Sequence, residues 1–133
     1  MFTSSAQAAA SPAGLWWTKG REAVVAIGAC GQALCGRLVG LPRQSWEPEP
    51  TDVHGRSQCG LAIIHGERPD AEGGWRGWIS DPRTGASYRA RLSIDSAGDL
   101  HVRGFLFVPL LGRSQIWTRF HGRVDATCQV SGG

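Results

Sequence analysis

Several things are scarce in this 133-residue sequence, and each scarcity excludes something. Lys19 is the only lysine among 14 basic residues, so positive charge is carried almost wholly by arginine. The net charge is only +3 and no run of five basic residues occurs, which weighs against a nucleic-acid-binding domain. No apolar stretch approaches the roughly 18 residues of a membrane-spanning helix. The cysteines Cys30, Cys35, Cys59 and Cys128 form no C-x-x-C pair, leaving zinc-knuckle and thioredoxin-type motifs without support. His54, His65, His101 and His121 make no i, i+2 or i, i+4 pair on one element, so no metal site is expected. Neither a G-x-S-x-G elbow, a P-loop nor a G-x-G-x-x-G turn is present. The sequence therefore reads as a non-enzyme that needs no cofactor, with no catalytic residue to defend. Helical periodicity is also scarce.

What is present is a repeating pattern of short apolar runs broken by turn residues, with 19 glycines and 7 prolines available for the breaks. The length suits one domain with a real core. Strands are read at residues 14–19, 23–28, 34–41, 61–65 and 74–80, with a long loop from Pro42 to Ser57 and a turn region from Gly66 to Gly73. Asp81-Pro82-Arg83-Thr84-Gly85 is a turn, Asp81 accepting backbone N–H groups and Gly85 free to take a positive φ. After it, Tyr88, Ala90, Leu92 and Ile94 face one way while Arg89, Arg91 and Ser93 face the other. Leu100 and Val102 alternate with His101 and Arg103; Phe105 to Leu111 reads as a bulge or corner at Pro109; residues 114–120 form the last strand. About eight strands with short links make an all-β, antiparallel up-and-down meander, and closing it into a barrel removes both exposed edges.

Cys30 and Cys35 flank four residues between two strands, so a four-residue hairpin loop would place them opposite each other, within disulfide reach. Cys59 and Cys128 are then left to pair with each other or to stay reduced. Met1–Pro12 contains Ala6-Gln7-Ala8 and Ala8-Ala9-Ala10, both A-x-A matches, and is expected to be a disordered tail or signal-peptide remnant. The barrel is expected over 13–121, with a C-terminal tail over 122–133. The even cysteine count agrees with a periplasmic or secreted location.

Seven motifs stand in order: Gly14-x-Trp16; Cys35-Gly36-Arg37; Cys59-Gly60-Leu61; Asp81-Pro82-x-x-Gly85-x-x-Tyr88; Val102-Arg103-Gly104; Leu111-Gly112-Arg113; and Gln115-x-Trp117-Thr118-Arg119. Together they resemble an uncharacterised bacterial family catalogued as domain of unknown function family 2147. The resemblance implies a lipocalin-like barrel and, usually, an exported protein; the family carries no established catalytic residue. One departure is Asp52-Val53-His54-Gly55, where relatives commonly have Asn-Pro after the aspartate. In barrels of this type a first-strand tryptophan is covered by a last-strand arginine, which implies that Arg119 lies over Trp16 and closes one end.

The six tryptophans could line a pocket or simply fill a narrow barrel. Tyr88, Leu92, Trp78 and Trp117 are the candidate ligand-binding residues. Trp75 and Trp78 fall on opposite faces, so at most one of them looks inward. The expected partner is a small hydrophobic or aromatic molecule held in the barrel. The competing readings are a structural or protein-interaction domain with a filled core and, behind it, a nucleic-acid-binding small barrel.

Overall fold

The computed structural model describes residues 10–105 and 113–133. Ten strands occur there: β1 (Gly14–Trp17), β2 (Val24–Cys30), β3 (Ala33–Gly40), β4 (Ala62–Pro69), β5 (Trp75–Ser80), β6 (Ser87–Ile94), β7 (Leu100–Phe105), β8 (Arg113–Arg119), β9 (Arg123–Val124) and β10 (Val130–Ser131). The first eight form a closed antiparallel barrel in sequence order. Closure comes from β1, which pairs with β2 along its length and with β8 through Trp16↔Arg119 and Trp17↔Thr118. Among the described residues no helix is long and apolar enough to cross a membrane, and the one helical element is a single 3-10 turn at Lys19–Arg21.

Period-two alternation decides which side chains meet inside. Val25 and Ile27 of β2, Leu34 and Leu38 of β3, Ile64 of β4, Leu92 of β6, Leu100 and Val102 of β7, and Trp117 of β8 join Trp16 in one buried cluster. Gly36 keeps this layer thin, because a Cβ there would lie 3.0 Å from Ile64 Cβ and 3.2 Å from Val25 Cγ1.

The β2–β3 connection is tighter than the expected four-residue loop. Cys30 pairs with Ala33 and Cys35 with Gly28, so the turn is Gly31-Gln32, with Gly31 at φ 68°. The two cysteines are diagonal neighbours on one face rather than opposites. That diagonal still brings their Cα atoms to 5.8 Å, and the disulfide forms. A second disulfide joins Cys59 to Cys128. The region expected to turn at Gly66 instead continues as strand to Pro69, and the turn is Asp70–Gly74, where Asp70 N donates to Gly74 O. The expected corner over Phe105–Leu111 falls, beyond Phe105, outside the described residues.

Pro12 and residues 122–133, read as tail from the sequence, are packed into the fold. Pro12 is fully buried, and its carbonyl accepts the Trp16 Nε1 hydrogen bond. Residues 122–133 form the β9–β10 ribbon rather than a loose tail. The ribbon covers an apolar patch on the outer wall where Trp17, Val24 and Phe120 pack with Val39, Val124 and Val130. Trp17 and Phe120 meet edge to face at 5.2 Å, and Trp17 Nε1 donates to Gly133 O.

The long loop before β4 is docked rather than loose. Asp52 Oδ1 accepts from His54 N and Arg56 N, and Val53 N donates to Pro82 O of the β5–β6 turn. Asp81 organises that turn: its carbonyl accepts from Gly85 N, its Oδ1 accepts from Arg83 N, and Gly85 sits at φ 77°.

Candidate functional site

The site begins with an irregularity in β4. Strict alternation from inward Ile64 would turn Gly66 inward and Glu67 outward. The β4–β5 register shifts between His65 and Arg68, so Gly66 and Glu67 together oppose Gly77. Gly66 takes φ 62°, a conformation cheap only for glycine, and marks a β-bulge. One extra residue reverses the facing of the next, and Glu67 points into the barrel with none of its surface exposed.

Neither carboxyl oxygen of Glu67 has a hydrogen-bond partner among the described residues. Burial away from water disfavours the charged form and pushes its pKa up to about 8. Gly77 makes the space it occupies, since a Cβ there would lie 2.5 Å from Glu67 Oε2. Gly77 pairs with Ala90, and Ala90 with Gly104, so the three strands beside the carboxyl contribute almost no side-chain volume to this layer. A Cβ built on Gly104 meets no described atom within 4 Å. A second orphan lies nearby in sequence: the buried Trp75 Nε1 donates to no described partner. Chemically, the layer offers a carboxyl held mostly protonated at neutral pH, able to donate and accept.

The expected ligand residues divide. Leu92 and Trp117 are buried inside the barrel, Trp117 Nε1 donating to Gln115 Oε1. Tyr88 is half-buried, pairs with Ile79 and lies one residue inside the β5–β6 turn. Trp78 does not join them. It faces outward, 46% exposed, with the Arg89 guanidinium over its ring. The inward tryptophan of β5 is Trp75, which pairs with Leu92 and packs on the core. Placing Trp78 in the pocket is thus corrected by the phase of β5. Glu67 and Trp75 were missed, although an isolated glycine in an apolar strand, Gly66, is a bulge signal.

The barrel end near Trp16 is solid. Arg119 Cζ lies 4.0 Å from the Trp16 ring centroid, and its Nη1 donates to Ala13 O. Gly14, at φ 132°, leaves room for that guanidinium, because a Cβ there would collide with Arg119 Nη1.

Two clefts open on the outer wall. One of about 180 Å³ lies between the docked loop and the β5–β6 turn and includes His65 and Ser80. There His65 Nε2 and Ser80 Oγ are 3.0 Å apart, and Ser80 Oγ is 3.1 Å from Ser87 Oγ. A Ser–His pair at that distance meets one condition for a nucleophile, but among the described residues no carboxylate orients His65. The other cleft, of about 310 Å³, lies over Gly66, Gly77 and Ala90. No cluster of three or more metal-ligating side chains occurs among the described residues.

A closed eight-stranded antiparallel meander, with Trp16 of the first strand under Arg119 of the last, defines a lipocalin-like barrel. Protein HP1028 from Helicobacter pylori, described as belonging to the lipocalin family, has a solved structure that matches with a TM-score of 0.69. Identity is 14%, and the match covers 84% of each chain. No curated protein matches the chain. Residues 14–119 match the family model described as an uncharacterized protein conserved in bacteria, DUF2147, and the chain belongs to that family.

Proposed function

We propose that this protein is a small-molecule carrier or receptor of the bacterial cell envelope rather than an enzyme, and that its ligand lies in the barrel beside Glu67. One observation carries the reading: a wholly buried carboxyl with no hydrogen-bond partner among the described residues faces a layer built from Gly77, Ala90 and Gly104. A buried polar group left unpaired costs about 1–3 kcal/mol, and a ligand that pairs with it recovers that cost on binding. The ligand class that fits is an apolar or aromatic molecule with a single polar group, a carbonyl, hydroxyl or amine, set on Glu67. Leu92, Trp75 and Tyr88 supply the apolar wall. The two disulfides are consistent with an oxidising compartment, which supports the envelope location.

The test is titration with N-phenyl-1-naphthylamine, which fluoresces in apolar surroundings. Binding at micromolar concentration is expected for the native protein, and Gly104→Leu, which fills the layer, should abolish it while near-UV circular dichroism stays native-like. Undiminished binding to a folded Gly104→Leu protein would move the site out of the barrel.

A further inference from the structure

The outer wall carries an arrangement independent of the barrel interior. Arg68 of β4 pairs with Arg76 of β5, Arg76 with Arg91 of β6, and Arg91 with Arg103 of β7. Four arginines thus stand in one row across four neighbouring strands. Like charges placed directly opposite each other on a sheet destabilise it, so such a row needs counter-charge. The protein supplies some of it. Asp70 Oδ2 accepts from Arg91 Nε at 2.8 Å and from Arg76 Nε at 3.1 Å, and Glu72 Oε1 accepts from Arg76 Nη2 at 3.2 Å. Arg68 has no carboxylate partner among the described residues. Neither has Arg89, which stands in the next outward row, paired with Trp78.

Between these two rows the wall is bare. Gly66, at the bulge, has no side chain to turn outward. Gly77 and Ala90 present only backbone there, because their own Cβ positions face the interior. The result is the cleft of about 310 Å³, floored by Gly66, Gly77 and Ala90 and walled by Arg76, Trp78 and Arg89. Arg68, paired with Arg76, stands on the same side as that residue. A carboxylate has two oxygens and one charge, whereas a phosphate monoester has three non-bridging oxygens, carries up to two charges and can serve several guanidinium groups at once. The half-exposed indole of Trp78 adds a flat apolar wall on which a ring can lie. The volume holds one ring with its phosphate, not a polymer.

We propose that this cleft is a binding site for a small ring molecule bearing a phosphate monoester, of the sugar-phosphate kind, with the phosphate held by Arg76 and Arg89, Arg68 flanking Arg76 at the cleft's edge, and the ring against Trp78. The bulge at Gly66 then has two consequences at once: it turns Glu67 into the barrel and leaves the outer wall open above it.

The experiment is isothermal titration of the full-length protein at low salt with glucose 6-phosphate, glucose and oligothymidylate. Glucose 6-phosphate is expected to bind, glucose to bind at least about tenfold more weakly, and the double variant Arg68→Gln, Arg89→Gln to lose about tenfold or more in affinity for the phosphate. Among the described residues neither arginine has a carboxylate partner to orphan, so this variant should fold; in the native protein, the indole N–H resonance of Trp78, assigned with Trp78→Phe, should shift on titration. Equal affinity in the double variant, equal binding of glucose, or tighter binding of oligothymidylate than of the sugar phosphate would each overturn the proposal. The double variant should still bind N-phenyl-1-naphthylamine as the native protein does, so failure here is separable from failure of the barrel site.

Discussion

Replacing Glu67 by Gln removes one titration from the barrel while changing its shape very little. In the native protein the carboxyl has its pKa raised from 4.5 to about 8 by burial. The folded state therefore binds a proton that the unfolded chain has released, and stability falls as pH rises between those two values. Its full contribution is present below about pH 4.5 and has gone above about pH 8. At 1.36 kcal/mol for each pH unit, the native protein loses about 3 kcal/mol between pH 4 and pH 7, and about 5 kcal/mol by pH 9. The amide of Glu67→Gln is also buried without a partner, but that penalty does not change with pH. The readout is the difference between the two proteins. Urea denaturation at intervals from pH 4 to pH 9 should show Glu67→Gln gaining on the native protein across this window, by about 5 kcal/mol in all. Asp52, Asp70, Asp95 and Asp125 titrate with the opposite sign, because hydrogen bonds and neighbouring positive charge lower their pKa values. Their stabilisation is lost as pH falls below the ordinary aspartate range, outside the Glu67 window, and it cancels in the difference. A flat difference curve would mean that Glu67 is hydrated or paired, and would remove the physical basis of the barrel site.

Other perturbations test separate parts of the fold. Cys59→Ser, Cys128→Ser should cost about 4 kcal/mol, because that bridge spans 69 residues, whereas Cys30→Ser, Cys35→Ser, spanning five, should cost about 2 kcal/mol; denaturation under non-reducing conditions gives both numbers. Arg119→Ala should destabilise by about 1–2 kcal/mol through loss of the stack on Trp16, seen as a lower urea midpoint with an unchanged slope. Gly77→Ala should cost about 1–3 kcal/mol by overpacking the Glu67 carboxyl. Combining it with Glu67→Ala should recover part of that loss, and strict additivity of the two would mean that the side chains do not meet.

Much of the architecture was legible because its signals are local. Alternation at Tyr88, Ala90, Leu92 and Ile94, the Asp81–Gly85 turn and the spacing of apolar runs each follow from two-residue periodicity or turn chemistry, and they lead to a closed meander with no further information. The motif order from Gly14 to Arg119 carried the family. Legibility failed where a single residue shifts the phase. At the β2–β3 turn, Cys30 and Cys35 prove diagonal rather than opposite, since the loop length sets the register and two lengths suit the same spacing. On β5, either Trp75 or Trp78 satisfies the pattern, and only pairing with Leu92 or with Arg89 says which is inside.

The sequence by itself determined most of the eight barrel strands and the Cys30–Cys35 hairpin bridge, because these depend on neighbours within a few positions; it left open the Cys59–Cys128 bridge, which joins residues 69 apart. Only the tertiary structure decided the site. A glycine bulge exchanges inside for outside over one residue, and the exchange puts a carboxyl in the core only because β5, β6 and β7 bring Gly77, Ala90 and Gly104 alongside it. That coincidence of register across four strands is long-range, and no local pattern encodes it.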